Sequence, residues 1–158
     1  MKRIFTICLF FASLTASAQQ SMTELFTVMP DSIMPVLTKN NRLDMIDFLE
    51  AKMKAEVTNL LDGDSEMTYQ DKDSVSIQLS PVERVDLFLL NSAEPYDSCR
   101  QVICMRSTYR LVTTGEEEQV CHFYSVKWNP IPAPRLLHEI VPSSDILRQD
   151  EEVFSKMQ

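Results

Sequence analysis

Residues 74–80 read SVSIQLS, in which polar and apolar side chains alternate without a break. In an extended strand, side chains alternate between the two faces, so Val75, Ile77 and Leu79 share one face and the polar residues the other. A strand of this kind needs a hydrophobic layer over its apolar face and further strands at its edges. The segments on either side must therefore supply both.

Further extended segments flank this strand and are broken by turn residues. We predict additional strands at residues 57–61, 67–70, 84–90, 101–111 and 119–128. Pro130, Pro132 and Pro134 follow the last of these and should stop strand pairing, so the chain continues as an extended segment. The pattern predicts an antiparallel meander sheet of about five or six strands.

The apolar layer is predicted from the helical pattern that precedes the strands. Met22, Leu25, Phe26 and Met29 recur at helical spacing until Pro30 ends the helix. A second helix is predicted to begin at Asn41. Its apolar stripe comprises Leu43, Ile46, Leu49 and Met53, widened by Met45 and Phe48. Helices followed by a run of strands predict an α+β fold, with N-terminal helices packed on one face of the sheet.

The first residues have the three parts of a secretory signal. Lys2 and Arg3 are followed by an apolar stretch at residues 4–14 and by the small residues Ala16-Ser17-Ala18. The apolar stretch is shorter than the ~20 residues that span a bilayer. We predict a signal peptide at 1–18, a single α+β domain at 19–135 and a C-terminal extension at 136–158. The expected location is periplasmic or secreted, with no membrane span after cleavage.

Composition narrows the functional classes. The formal net charge of −8 argues against nucleic acid or an anionic membrane as a partner. Gly63 and Gly115 are the only glycines, which argues against a glycine-rich phosphate loop, a dinucleotide fingerprint or a Gly-x-Ser-x-Gly nucleophile elbow. No cofactor is predicted. His122 is expected to be partly buried, and neither it nor His138 has spacing that indicates a catalytic or metal site.

Three cysteines follow the predicted signal, namely Cys99, Cys104 and Cys121. In an oxidising compartment they allow one internal disulfide, with three possible pairings. A hairpin centred on Gly115-Glu116 would place Cys104 opposite Lys127 and Cys121 about 20 Å further along the strand. This register disfavours a bridge between Cys104 and Cys121, because a disulfide needs Cα atoms within about 7 Å.

Three groups of residues are candidates for a site. Tyr124, Trp128 and Ile131 could line a groove for a peptide or glycan, or they could close the end of the core. Two acidic groups are further candidates, each with solvated polar residues as the alternative. They are Asp62, Asp64 and Glu66 around a turn, for calcium, and Asp44, Asp47 and Glu50 on the second helix, for a hydrolase.

Several short segments also resemble a known family. They are MPDS at 29–32, NNRLD at 40–44, MKAEVTN at 53–59, SEMT at 65–68, VICM at 102–105, TY at 108–109 and FYSxxWxP at 123–130. Together they resemble an exported family known chiefly from Bacteroides-type gut bacteria, domain of unknown function 3256. The resemblance implies an envelope or secreted location and no particular activity or site residue.

These observations favour a non-enzymatic binding or interaction module whose partner is an envelope protein, a peptide or a glycan. A small envelope hydrolase with a carboxylate site and a calcium-stabilised domain are the alternatives.

Overall fold

The computed structural model describes residues 20–137. The predicted signal peptide, His138 and most of the C-terminal extension lie outside the described residues. Two helices precede seven strands in the described chain. They are α1 (Met22–Thr27), α2 (Lys39–Glu50), β1 (Ala55–Thr58), β2 (Asp64–Gln70), β3 (Ser74–Ser80), β4 (Glu83–Tyr96), β5 (Cys99–Arg110), β6 (Glu117–Ser125) and β7 (Pro130–Ile131).

The strands form one antiparallel sheet in the order β1-β2-β3-β4-β5-β6-β7. The antiparallel meander is confirmed, but the sheet has seven strands and not the expected five or six. The prediction that Pro130 stops strand pairing was wrong, since Pro130 pairs with Tyr124 and Ile131 with Phe123. β7 lies at the edge of the described sheet, where the missing N–H of a proline breaks no ladder hydrogen bond.

The apolar face of the sheet forms the core. Val75, Ile77 and Leu79 are buried, which confirms the alternation at residues 74–80. Both helices pack on this face, α2 mainly against β1 and β2, and α1 against β3 and β4. The indole N–H of Trp128 crosses the core to donate to the carbonyl of Leu25 at 3.0 Å, which ties the chain after β6 to α1.

The second helix differs from its prediction at its start and on its buried face. Thr38 is the N-cap, and its hydroxyl accepts the amide of Asn41, so the helix begins at Lys39 and not at Asn41. Leu43 and Met53, assigned to the buried stripe, are exposed. The face that packs inward carries Arg42 with Met45 and Ile46. The predicted stripe is confirmed at Met45 and Ile46, which are buried, and at Phe48 and Leu49, which pack against the core. The apolar pattern missed Arg42 because an arginine is expected on the polar face.

Arg42 is 1% exposed and lies inside the helical layer. Its guanidinium donates to the carbonyl oxygens of Met29 at 2.6 Å and Leu37 at 2.9 Å, and to Asp31 at 2.9 Å. It also lies 5.9 Å from the centre of the Phe26 ring. The two carbonyls bracket the turn between the helices, which we call the 29–37 loop. A buried charge is tolerated here because these hydrogen bonds replace most of its hydration, although its Nε–H has no hydrogen-bond partner within the described residues.

The β5–β6 hairpin has a different register from the predicted one. Cys104 lies opposite Phe123, not Lys127, and Cys121 lies opposite Arg106. Arg110 pairs with Glu117, so the loop occupies residues 111–116 and is not centred on Gly115-Glu116. The predicted separation of about 20 Å between Cys104 and Cys121 was therefore wrong. The two cysteines are diagonal neighbours on adjacent strands.

The turn between β2 and β3 holds the start of α1. The amide of Met22 donates to the carbonyl of Lys72 at 2.7 Å. Within this turn the Asp71 carboxylate accepts from the Tyr69 hydroxyl and from the amides of Asp73 and Ser74. The hydrogen bond from Tyr69, followed by those from the two amides, lowers the pKa of Asp71 below its usual 3.8, although partial burial opposes this.

Replacing Arg42 by methionine should lower the free energy of unfolding by about 2–4 kcal/mol, because two buried carbonyls lose their donor. Asp31→Asn is the matched control. Asp31 is 64% exposed, so its loss should cost no more than about 1 kcal/mol. Urea unfolding of the two variants measures the difference, and equal losses would contradict the account.

Replacing Asp71 by asparagine should destabilise the protein near neutral pH. A carboxylate whose pKa is lowered in the folded state stabilises it above the unfolded-state value and loses that contribution as the pH falls through the folded-state value. The difference from wild type should therefore shrink as the pH falls below 3.8. Urea midpoints across this range test it. Asp73→Asn in the same turn is the control, and a gap independent of pH would refute the assignment.

Candidate functional site

A groove opens where the helical layer stops short of the sheet. The helices pack over β1 to β4, and the same face of β5 and β6 extends beyond them. Between the 29–37 loop and these two strands lies a half-open groove of about 300 Å³. This volume is at the lower end of the range for ligand pockets, and it suits one or two large side chains.

The wall of the groove is residues 33–36 of the 29–37 loop. The loop forms because Pro30 and Pro35 interrupt helical hydrogen bonding on either side of Ile33. Its amides instead make local turns, Ile33 to Pro30 at 3.0 Å and Leu37 to Met34 at 3.1 Å. Arg42 binds the loop from the core side, so the wall has a defined position before any ligand arrives.

The floor of the groove comes from the alternation along β5 and β6. Met105, Ser107 and Tyr109 project from β5, and His122 and Tyr124 from β6. Met105 and Ser107 are buried, whereas Tyr109 is 40% exposed. Leu79 and Glu83 complete the lining on the β3–β4 side. The groove thus combines an apolar interior with two tyrosines, a histidine and one carboxylate.

The phenol of Tyr124 is a neutral hydrogen-bonding group in the groove. Partial burial raises the pKa of Tyr124, so its hydroxyl remains protonated at neutral pH. A protonated phenol both donates and accepts hydrogen bonds. Within residues 20–137, no group of three or more His, Cys, Asp or Glu side chains lies where it could hold a metal ion. The lining can bind an apolar side chain and hydrogen-bond the polar groups around it.

The structure separates the three predicted groove residues. Tyr124 lines the groove. Trp128 is buried in the core, with its ring centre 5.6 Å from that of Tyr124. Ile131 lies in the short edge strand β7. The tyrosine is thus available to a ligand, while the tryptophan fixes the position of the chain behind it.

The acidic candidates do not converge. Asp62 lies in the β1–β2 turn, whereas Asp64 and Glu66 belong to β2. The second group, on α2, comprises the exposed carboxylates of Asp44, Asp47 and Glu50. All three lie outside the groove lining, and Glu50 accepts a hydrogen bond from Gln70 at 3.5 Å. Neither the calcium site nor the carboxylate hydrolase gains support from this arrangement.

Sequence reasoning missed most of the groove. His122 was expected to be partly buried, but it is exposed, because the helices do not reach this end of β6. Tyr109 and the loop residues 33–36 were not singled out. The available signal was the alternation of Met105, Ser107 and Tyr109, which places an exposed tyrosine on the core face. No local feature of the sequence indicates how many strands of the sheet the helices cover.

Comparisons with known proteins identify a family without an activity. No helix in the described part of the chain is long and apolar enough to cross a membrane. No curated protein and no solved structure matches the sequence. A family model described as a protein of unknown function, DUF3256, matches residues 14–157. This match spans nearly all of the sequence, and the chain belongs to the DUF3256 family.

Proposed function

We propose that this protein is an exported, non-enzymatic binding module that recognises an extended, basic peptide segment of an envelope or secreted partner. An apolar side chain of the peptide occupies the groove. The observation that carries the proposal is the groove itself, which joins an apolar wall at residues 33–36 to the exposed ring of Tyr109. Exposed aromatic rings beside an apolar pocket are typical of recognition sites.

The main chain of β6 favours an extended ligand. On the outer side of β6, Phe123 and Tyr124 pair with β7. The preceding segment, residues 117–120, pairs with β5 on its inner side. A peptide that adds to β6 as a further strand would gain main-chain hydrogen bonds and place alternate side chains over the groove. A glycan would use neither feature, so a peptide is the better fit.

The charge of the surface favours a basic ligand. Glu83 lies in the groove lining, and Glu118 of β6 lies opposite Tyr109 on the same face of the sheet. Glu117 faces the other side of the sheet, where it pairs with Arg110 at 3.3 Å. The whole chain has a formal net charge of −8. Lysine or arginine at the alternate positions of an added strand would meet this acidic edge and increase the association rate.

The N-terminal segment supports an exported location. The positive residues Lys2 and Arg3, the apolar stretch at residues 4–14 and the small residues before position 19 follow the order of a secretory signal. An exported binding module would meet its partner in the envelope or outside the cell.

A fluorescent peptide of alternating lysine and leucine should bind the protein, and its counterpart of alternating glutamate and leucine should bind at least about tenfold more weakly. Tyr109→Ala should weaken binding of the basic peptide about tenfold, equivalent to ~1.4 kcal/mol, because the groove loses an exposed ring. Fluorescence anisotropy measures both effects.

Tyr69→Ala is the matched control for this test. Tyr69 is 50% exposed, and it lies opposite Ser76 on the face of the sheet away from the helices. Its replacement should leave peptide affinity unchanged. Equal binding of the two peptides, equal effects of the two tyrosine variants, or binding of a neutral oligosaccharide in place of either peptide would overturn the proposal.

A further inference from the structure

The face of the sheet away from the helices carries a pair of cysteines on neighbouring strands. Cys104 of β5 lies opposite Phe123 of β6, and Cys121 lies opposite Arg106. Because residues two apart on a strand share a face, Cys104 and Cys121 lie on the same face, one pair apart. All three described cysteines are thiols in the structure.

The two thiols are in contact. The Cys104 thiol shares a side-chain hydrogen bond with Cys121. Cys99, at the start of β5, is five residues before Cys104 and so lies about 16 Å away along the strand at ~3.3 Å per residue. An odd separation along a strand also directs its side chain to the opposite face. The geometry therefore pairs two of the three cysteines and leaves Cys99 apart.

We propose that Cys104 and Cys121 form a reversible cross-strand disulfide by thiol–disulfide exchange with an external disulfide, either a small molecule or a disulfide-bearing protein. This inference concerns the face opposite the groove and does not depend on the proposed peptide ligand. A bridge would join β5 and β6, the two strands that form the groove floor.

The two cysteines have different roles in the exchange because they differ in exposure. Cys104 is 2% exposed, whereas Cys121 is half-buried and accessible. The hydrogen bond with Cys121, together with burial, raises the pKa of Cys104, and the Arg106 guanidinium acts in the opposite direction. The thiolate is the attacking form. Cys121 is therefore the residue that meets the incoming disulfide, and Cys104 resolves it.

The reaction balances in two steps. Cys121 loses its proton to solvent, and its thiolate attacks one sulfur of the external disulfide, breaking that S–S bond and releasing one thiolate that takes up a proton. Cys104 then loses its proton and attacks the Cys121 sulfur of the mixed disulfide, releasing the second external thiol. Two protein thiols are oxidised to one disulfide, and one external disulfide is reduced to two thiols.

The bond should be readily reducible. A disulfide requires Cβ atoms about 3.5–4.5 Å apart. Diagonal neighbours across an antiparallel pair are separated by more than this, at somewhat less than ~7–8 Å. The two strands must therefore approach locally as the bond forms. Disulfides that distort their surroundings have higher reduction potentials and are the labile ones.

Tryptic peptide mapping tests the proposal on the full chain. Cleavage after lysine and arginine places Cys99, Cys104 and Cys121 in three separate peptides, residues 85–100, 101–106 and 111–127. Cys8 falls in a fourth peptide, residues 4–39. After incubation of the reduced, folded protein with oxidised glutathione and quenching with iodoacetamide, we expect the peptide of Cys104 to be linked to that of Cys121, with the loss of two hydrogen atoms. Cys99 should be alkylated or glutathionylated, and excess reduced glutathione should reverse the link.

Single cysteine variants test which two cysteines form the disulfide. Cys99→Ser should keep the link, whereas Cys104→Ser should stop the reaction at a mixed disulfide of Cys121 with glutathione. If Cys104→Ser does not fold, Cys104→Ala supplies the same comparison. A link that includes Cys99, or wild-type protein that stays folded and unlinked in excess oxidised glutathione, would overturn the proposal.

Discussion

The buried guanidinium of Arg42 is the constraint on which the helical layer depends. The 29–37 loop contains two prolines and cannot continue either helix, so its carbonyls need donors from elsewhere. Arg42 supplies them, binding the carbonyls of Met29 and Leu37 from within α2. One side chain thus joins the end of α1, the loop and α2 into a single packed unit. The loop wall of the groove is part of this unit.

The groove exists because the two layers differ in width. Seven strands at ~4.8 Å spacing are wider than two helices can cover. The helices pack over β1 to β4, where the core face is mostly apolar. On β5 and β6 the same face becomes mixed, with Ser107, Tyr109 and His122. Residues that can face water therefore lie where the helical layer ends, and that boundary forms the groove.

The sequence predicted what depends on local periodicity. The strand at 74–80 and the meander followed from alternation and turn residues. The hairpin register did not, because the loop at residues 111–116 is centred between Thr113 and Thr114 and not on Gly115-Glu116, which moves every opposed residue by four positions. The buried face of α2 was predicted at Met45 and Ile46, but the buried Arg42 was missed. An arginine is expected on the polar face, and only tertiary contacts show which carbonyls it binds. The groove was likewise hidden, since no local signal marks where a helix stops covering a sheet.

Chemical-shift mapping tests most directly whether the open end of the core face binds a peptide. Amide resonances of the protein would be followed by NMR during titration with the peptide of alternating lysine and leucine. The account predicts perturbations confined to the groove wall at residues 33–36 and to β5 and β6 around Tyr109 and His122, with β1 and β2 unaffected. Perturbations centred on β1 and β2, or on the face of the sheet away from the helices, would contradict it.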